Sequence, residues 1–212
     1  MLSKLRKHYF KSEQPIDRID YYNELLDRHQ DPAKAVGWFS QYTQRLRFIN
    51  LALIADLEGA RVCDVGSGLG DLFGYFQEQE IDLDYLGIDN CPRMVNLARE
   101  NHPGVAFKIA DFRTFNPESP FDYILASGVL SHRQRNPKKY FLESVRILFS
   151  MADKGLAFNV LSDQAPLHMR YPKDFDYFSP GWVLGELQKI TPYVSLYHHY
   201  LPNDFTVHMY SV

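Results

Sequence analysis

The sequence predicts an α/β fold: a doubly wound, mostly parallel seven-stranded sheet with helices on both faces, ended by an antiparallel C-terminal β-hairpin and preceded by N-terminal helices. Three observations predict it. From Arg61 onward, short apolar runs alternate with stretches of helical periodicity, the pattern of a parallel sheet covered on both sides. The last two apolar runs, "YVSLYHHYL" and "FTVHMYSV", are separated only by the short turn "PND", which requires an antiparallel pair. Residues 1–60 read as helical.

Within residues 1–60 the strongest helix is "QYTQRLRFINLALIADL", where Gln44, Phe48, Leu51 and Ala55 recur at i, i+4, i+7 and i+11 on one stripe. "RVCDVG" is the first strand, and "DLFGYFQEQ" follows with helical spacing at Leu72, Phe73 and Phe76. "LDYLGID" is the second strand, ending at Asp89. "PRMVNLAREN" is a helix opened by Pro92, a favoured first-turn residue. "VAFKIAD" and "FDYILASG" are the third and fourth strands, a long helix spans about Pro137 to Met151, and "GLAFNVLS" is the fifth strand. A further helix lies near Pro180 to Ile190. The least regular stretch is Ser162 to Trp182, broken by Pro166, Pro172 and Pro180. A connection of this length inside a compact domain is usually functional or disordered, and its five aromatics favour an ordered lid.

The chain has 212 residues, enough for one domain with a substantial core. It reads as one compact unit in which an N-terminal helical cap, residues 1–60, contributes to a site on the α/β domain, residues 61–212. An apolar fraction of 45% argues against disorder. No apolar run approaches the roughly 20 residues of a membrane helix, and "MLSKLRKHYFKSEQP" lacks the apolar region of a signal peptide. Cys63 and Cys91 give neither a disulfide framework nor metal-ligand spacing, so a reducing cytoplasm fits best and no metal is expected. A net charge of -3 gives no strong signal for nucleic acid.

Three glycines, Gly66, Gly68 and Gly70, stand on alternate positions in "VCDVGSGLGDL" between a strand and a helix. A glycine-rich strand-to-helix turn lets a nucleotide approach the backbone closely. Dinucleotide binding wants Gly-x-Gly-x-x-Gly, but here the third glycine falls one residue early and Asp71 follows it. No Lys or Arg lies between Arg61 and Arg93, so the ligand is expected to bring no phosphates to this loop. Asp89 ends the second strand 19 residues after Gly70, where an acid can accept from both ribose hydroxyls. Asp111 ends the third strand, placed to accept from an adenine amino group with Phe112 against the ring.

With these residues in view, the chain resembles the class I, Rossmann-like S-adenosylmethionine-dependent methyltransferases. "VCDVGSGLG" resembles their first motif, "LGIDNC" the acidic second-strand motif, "KIADF" the adenine-contacting motif and "FDYILASGVLSH" the fourth-strand motif, while the terminal hairpin is similar to their antiparallel seventh strand. The match covers roughly Arg61 to Val212, and "GWFSQYTQRLRF" resembles the opening helix of a group of small bacterial methyltransferases of unassigned acceptor.

The resemblance implies S-adenosyl-L-methionine as cofactor and S-adenosyl-L-homocysteine as product. It places Gly66, Ser67, Gly68 and Gly70 along the methionine portion, Asp64 near its amino end, and Asp89 and Asn90 at the ribose. Met94, Ala110, Asp111 and Phe112 then surround the adenine, while Ser127, Gly128 and Leu130 line the fourth-strand exit. Trp38 belongs to the same cofactor set, and Arg47 is preferred over Arg45 for the cofactor carboxylate because it lies nearer the buried stripe of its helix. His132 stands where an acceptor should lie and is the candidate general base. Arg170, Tyr171 and Tyr177 in the lid are candidate acceptor contacts, with Lys173 as a second cation. "SGVLSH" replaces the Asn/Asp-Pro-Pro-Tyr/Phe of adenine and glutamine methylases and holds no cysteine for cytosine chemistry, so a small molecule is the leading acceptor. The expected protein is a monomer or homodimer off the membrane. Two alternatives stand beside this reading: a non-catalytic S-adenosylmethionine-binding subunit, and another transferase on the same fold, such as an aminopropyltransferase.

Overall fold

A computed structural model describes residues 18–170 and 174–211. Among them, helices α1 (Arg18–Arg28), α2 (Pro32–Ala35) and α3 (Gln41–Ala52) precede the sheet. Then come β1 (Arg61–Val65), α4 (Asp71–Glu78), β2 (Asp84–Asp89), α5 (Pro92–Asn101), β3 (Ala106–Ile109), β4 (Phe121–Ala126), α6 (Pro137–Ser150) and β5 (Ala152–Leu161). A short 3-10 turn (Leu167–Met169), α7 (Pro180–Leu187), β6 (Val194–Leu201) and β7 (Asp204–Tyr210) complete the chain. The sheet order is β3-β2-β1-β4-β5-β7-β6, with β7 antiparallel to both β5 and β6 and every other pair parallel. The expected doubly wound sheet with its terminal hairpin is therefore present.

Side chains alternate across the sheet as the two-residue period requires. Cys63 and Val65 of β1 join Phe141, Val145 and Leu148 of α6 in one core, whereas Val62 joins Leu51 of α3 and Phe76 of α4 on the other face. The helices start where their caps dictate. Asp31 accepts from the Ala33 and Lys34 N–H groups ahead of α2, and Ser40 accepts from Thr43 N–H at 3.3 Å ahead of α3. Asn136 and Ser179 do the same for α6 and α7, each followed by a proline.

α3 ends at Ala52, earlier than the apolar stripe through Ala55 suggests. Its end is held by β7: the His208 ring bonds the Asn50 carbonyl at 2.8 Å, and the Tyr210 hydroxyl donates to the Ile54 carbonyl at 3.1 Å. These long-range bonds satisfy carbonyls that a longer helix would have used. No helix of the described residues is long and apolar enough to cross a membrane.

The register builds the functional end of the sheet. Val65 pairs with Ile88 and Ala126, Ile88 with Lys108, and Ala126 with Phe158. The next residues, Gly66, Asp89, Ser127 and Asn159, therefore stand at one level near the carboxyl edge, where β1 and β4 have ended while Asp89 and Asn159 still pair with Ile109 and Thr206.

Candidate active site

A cavity of about 560 Å³ opens at that edge, beneath α1, the α2–α3 connection and part of the segment after β5. Its first wall is the glycine turn. The Gly66 and Ser67 N–H groups donate to the Ile88 carbonyl at 2.8 and 3.1 Å, carrying the chain across the end of β2. Gly66 has φ +74, and a Cβ there would fall 2.4 Å from Val129 Cγ2, so the turn is closed to other residues on both counts. The Asp89 carboxylate fastens the turn to β2, accepting from Gly68 N–H at 3.0 Å and from Cys91 N–H at 2.8 Å. Burial pushes the Asp89 pKa up, and those backbone donors oppose it.

Two more acids line the same end. Asp64 is buried on β1 and accepts from the Tyr85 hydroxyl at 2.6 Å. Burial pushes its pKa up to about 7; the Tyr85 bond pulls the other way, and the charges of Asp89 and Asp71 add to the rise. Asp71, at the start of α4, accepts from Gln44 Nε2 at 2.8 Å, and its pKa is raised by burial. Three carboxylates with no cation among them repel phosphate and favour a positively charged ligand.

The middle of the cavity is set by β3 and β4. Asp111 is gripped by Arg113, whose Nε lies 3.1 Å from both carboxylate oxygens, and this guanidinium holds its pKa below the usual range. Phe112 is buried beside it. After β4, Gly128 N–H donates to Asn159 Oδ1 at 2.7 Å, and Ser131 Oγ accepts from Leu161 N–H at 2.9 Å. Ser67 Oγ and Ser127 Oγ are buried in the cavity wall with no hydrogen-bond partner among the described residues. Orphaned hydroxyls of this kind call for a polar ligand.

The far end is built by side chains. His132 Nε2 and the Tyr22 hydroxyl share a hydrogen bond of 2.9 Å, with Tyr21 and Phe175 packed against the imidazole. Burial, helped by the charge of Arg18, pushes the His132 pKa down to about 3; burial drives the Tyr22 phenol far upward. Both groups are therefore neutral near pH 7. Arg47 donates from Nε to Asp204 at 2.9 Å and from Nη1 to the Thr43 carbonyl at 2.8 Å, and its guanidinium lies 4.4 Å from the Trp38 ring centre. The Tyr200 hydroxyl donates to the other Asp204 oxygen at 2.6 Å.

Of the residues singled out from the sequence, Trp38, Arg47, Asp64, Gly66, Ser67 and Gly68 line the cavity. So do Asp89, Asn90, Met94, Ala110, Asp111 and Phe112, together with Ser127, Gly128, His132 and Tyr177. Gly70, Leu130 and Arg170 do not. Gly70 begins α4 with φ +84, and a Cβ there would meet His102 at 2.6 Å and Phe107 at 2.9 Å, so it serves helix packing. Leu130 is buried in the core beneath β4. Arg170 turns back on its own loop, its Nε donating to the Ala165 carbonyl at 2.7 Å and its Nη2 to that of Asp163. Tyr171 and Lys173 lie outside the described residues, as does the basic run at residues 4–11. Phe178 and Trp182 pack at a tilt against Phe141 in the core and are absent from the cavity wall. The sequence reading missed Arg18, Tyr21, Tyr22, Asn159 and Asp204. Only "RIDYY", with positions 18, 21 and 22 on one helical face, carried a usable signal for any of them.

Comparison with known proteins follows the same outline. Residues 62–150 match a family model described as a methyltransferase domain. A trans-aconitate 2-methyltransferase of Methylobacterium nodulans is 41% identical over 71 residues, which is 34% of this chain and 28% of the relative. The match thus spans less than a third of that curated relative's length. Among solved structures, the Synechocystis PCC 6803 magnesium protoporphyrin IX methyltransferase with bound SAM aligns with a TM-score of 0.62 at 16% identity, over 99% of this chain and 96% of that one. The DhpI-SAM-HEP complex aligns with a TM-score of 0.64 at 17% identity, over 93% of this chain and 98% of that one. These structural likenesses show a shared fold, the seven-stranded sheet with its antiparallel C-terminal strands.

Proposed function

We propose that this chain is an S-adenosylmethionine-dependent methyltransferase that transfers a methyl group to a small molecule by in-line displacement, and that it works in the cytoplasm. One observation carries the reading: the cavity joins a glycine turn, three carboxylates without a cation, and two buried serine hydroxyls without partners. That is a receptor for a polar, cationic nucleoside lacking phosphates. The solved methyltransferases aligned above hold SAM in their own sites, which supports the reading by analogy. In this assignment Asp89 accepts from the ribose hydroxyls while holding the Gly68 turn, and Phe112 packs on the base beside Asp111. Asp64 and Asp71 face the amino end, and the Ser67 and Ser127 hydroxyls gain the partners they lack.

Bound there, the cofactor supplies an electrophilic methyl on a sulfonium whose leaving group is a neutral thioether. The protein then has no developing anion to stabilise, and orientation supplies much of the acceleration. Tyr22, His132 and Phe175 close the cavity above the β4 exit and keep water from the acceptor. His132 is too weak a base at neutral pH to remove an acceptor proton, so its role is to position through the Tyr22 bond. Calorimetry with S-adenosylmethionine, S-adenosylhomocysteine and NAD tests the reading. Binding of the first two without NAD is expected. Tight NAD binding without either of the others overturns it.

A further inference from the structure

Three guanidinium groups line the cavity, and they are not equivalent. Arg47 is locked to Asp204 in a pair whose side chains are 4% and 3% exposed, and Arg113 is held by both oxygens of Asp111. Arg18 differs. Among the described residues no carboxylate pairs with it: its Nη2 donates to the neutral Tyr140 hydroxyl at 2.9 Å, and its guanidinium lies 5.2 Å from that ring's centre. Arg18, Tyr21 and Tyr22 stand at i, i+3 and i+4, so all three face the cavity from one side of α1. The charge of Arg18 reaches Tyr22 and His132, and more weakly the Asp111 carboxylate that Arg113 already holds.

The cavity is thus polarised. Asp64, Asp71 and Asp89 gather at the β1–β2 end, while Arg18, which forms no salt bridge among the described residues, stands beside the Tyr22–His132 pair at the other. With His132 neutral and weakly basic and Tyr22 a neutral phenol, no group at this end takes a proton from an acceptor at neutral pH. An acceptor that arrives already ionised needs none.

We propose that Arg18 anchors the acceptor, and that the acceptor is a small oxyacid, a carboxylate or a phosphonate, methylated on its ionised oxygen next to Tyr22 and His132. This rests on the methyltransferase reading above. The acid's oxygen gives an electron pair to the methyl carbon of a sulfonium donor. The carbon–sulfur bond breaks with its pair leaving on a neutral thioether, the product is a methyl ester, and no proton moves. Arg18 holds the acid in its charged form and fixes its orientation through paired N–H donors.

The test uses the whole chain saturated with S-adenosylhomocysteine, titrated calorimetrically with trans-aconitate, benzoate, ethylphosphonate and the neutral phenol catechol. An oxyacid should bind in preference to catechol. Arg18→Gln should weaken it about ten- to hundredfold, and Arg18→Lys by less, while both variants keep the parent affinity for S-adenosylhomocysteine, which reports an intact fold. Carboxylate binding against phosphonate binding tells which acid the site takes. With methyl-labelled S-adenosylmethionine, the label should appear on the acid's oxygen: a carboxylate product releases it as methanol in mild alkali, whereas a phosphonate monoester survives mild alkali and is recognised by mass spectrometry as the O-methyl product. Oxyacid binding indifferent to Arg18, preference for catechol, a product methylated elsewhere than on the acid's oxygen, or no oxyacid bound or methylated by the cofactor-loaded chain each overturns the proposal. Failure to bind S-adenosylmethionine and S-adenosylhomocysteine at all overturns the methyltransferase reading instead.

Discussion

At one end of the cavity the walls come from a single short stretch, Asp64 to Asn90, and many of their contacts are backbone N–H groups and carbonyls. At the other end Arg18, Trp38, His132, Phe175 and Asp204 arrive from five separate segments, and the contacts are side-chain atoms. The physical consequence is a difference in adjustability. Backbone donors persist through most substitutions, so the first end is suited to a ligand that stays the same. Side chains from dispersed segments change one at a time, so the second end can be refitted to a new acceptor without disturbing the first.

The sharpest way to break this division is to remove the one side chain on which the backbone end depends. Asp89→Ala loses the carboxylate that fastens Gly68 to β2 and that we assign to the ribose. Two hydrogen bonds to a charged group are worth about 1.5–3 kcal/mol each, so cofactor affinity should fall by about 3 kcal/mol or more in calorimetry. Acceptor-end contacts should be untouched. An unchanged dissociation constant would remove Asp89 from the site.

A second substitution strikes the dispersed end. Arg47→Met leaves Asp204 buried without its cation, and breaking a buried pair typically costs about 3–5 kcal/mol of stability. Burial already raises the Asp204 pKa, so the widowed carboxylate can escape the penalty by taking a proton. Urea unfolding should therefore show a large loss near pH 8 that shrinks near pH 5. A loss of the same size at both values would mean that packing against Trp38, and not the charge pair, sets the effect.

The two ends also differ in how far the sequence disclosed them. Gly66, Gly68 and Asp89 were legible because the local rule is strict: a turn with positive φ needs glycine, and an acid at a strand end has few other uses. Gly70 shares the spacing but packs against His102 and Phe107, a contact with residues more than 30 positions away that no local pattern reports. The mostly parallel sheet and its antiparallel end followed from the alternation of elements and the short "PND" turn. Tyr22 was missed because its partner, His132, lies 110 residues on, and Asp204 because Arg47 is 157 residues back. Arg170 was misplaced because a loop arginine takes its direction from whichever carbonyls the loop turns inward, here those of Ala165 and Asp163.

Proton linkage sharpens the contrast at smaller scale. The Asp64 pKa rises on folding from 3.8 to about 7, so between those values the folded chain holds a proton that the unfolded chain has released. Stability assigned to Asp64 is full below about pH 4 and is lost as pH climbs toward 7. Cofactor binding should run the other way, since a cation favours the ionised carboxylate. Affinity should rise with pH by at most about tenfold per unit below pH 7 and level off above it, with proton release on binding. Asp64→Asn should flatten both profiles. Calorimetry in buffers of different ionisation heat measures the proton directly, and a pH-independent affinity in the parent chain would detach Asp64 from the cofactor.

The smallest expected effect is at Arg170, and it decides how much of the segment after β5 serves the dispersed end. The guanidinium closes the loop from Asp163 to Arg170 through two backbone carbonyls, and it is absent from the cavity wall that Phe175 and Tyr177 share. Its hydrogen bonds sit near the surface, where water replaces them at little cost. Arg170→Ala should therefore change stability by no more than about 0.5 kcal/mol and leave acceptor KM within about twofold, the scale of a residue that touches neither ligand. Phe175→Ala is the control, because this ring packs on His132 at 5.5 Å between centres and its loss opens the acceptor wall. It should raise acceptor KM with cofactor affinity unchanged. If Arg170→Ala instead matches Phe175→Ala in KM while the melting temperature stays put, the loop must reverse its arginine when acceptor binds. The segment after β5 would then serve the acceptor end with a second side chain, one that moves.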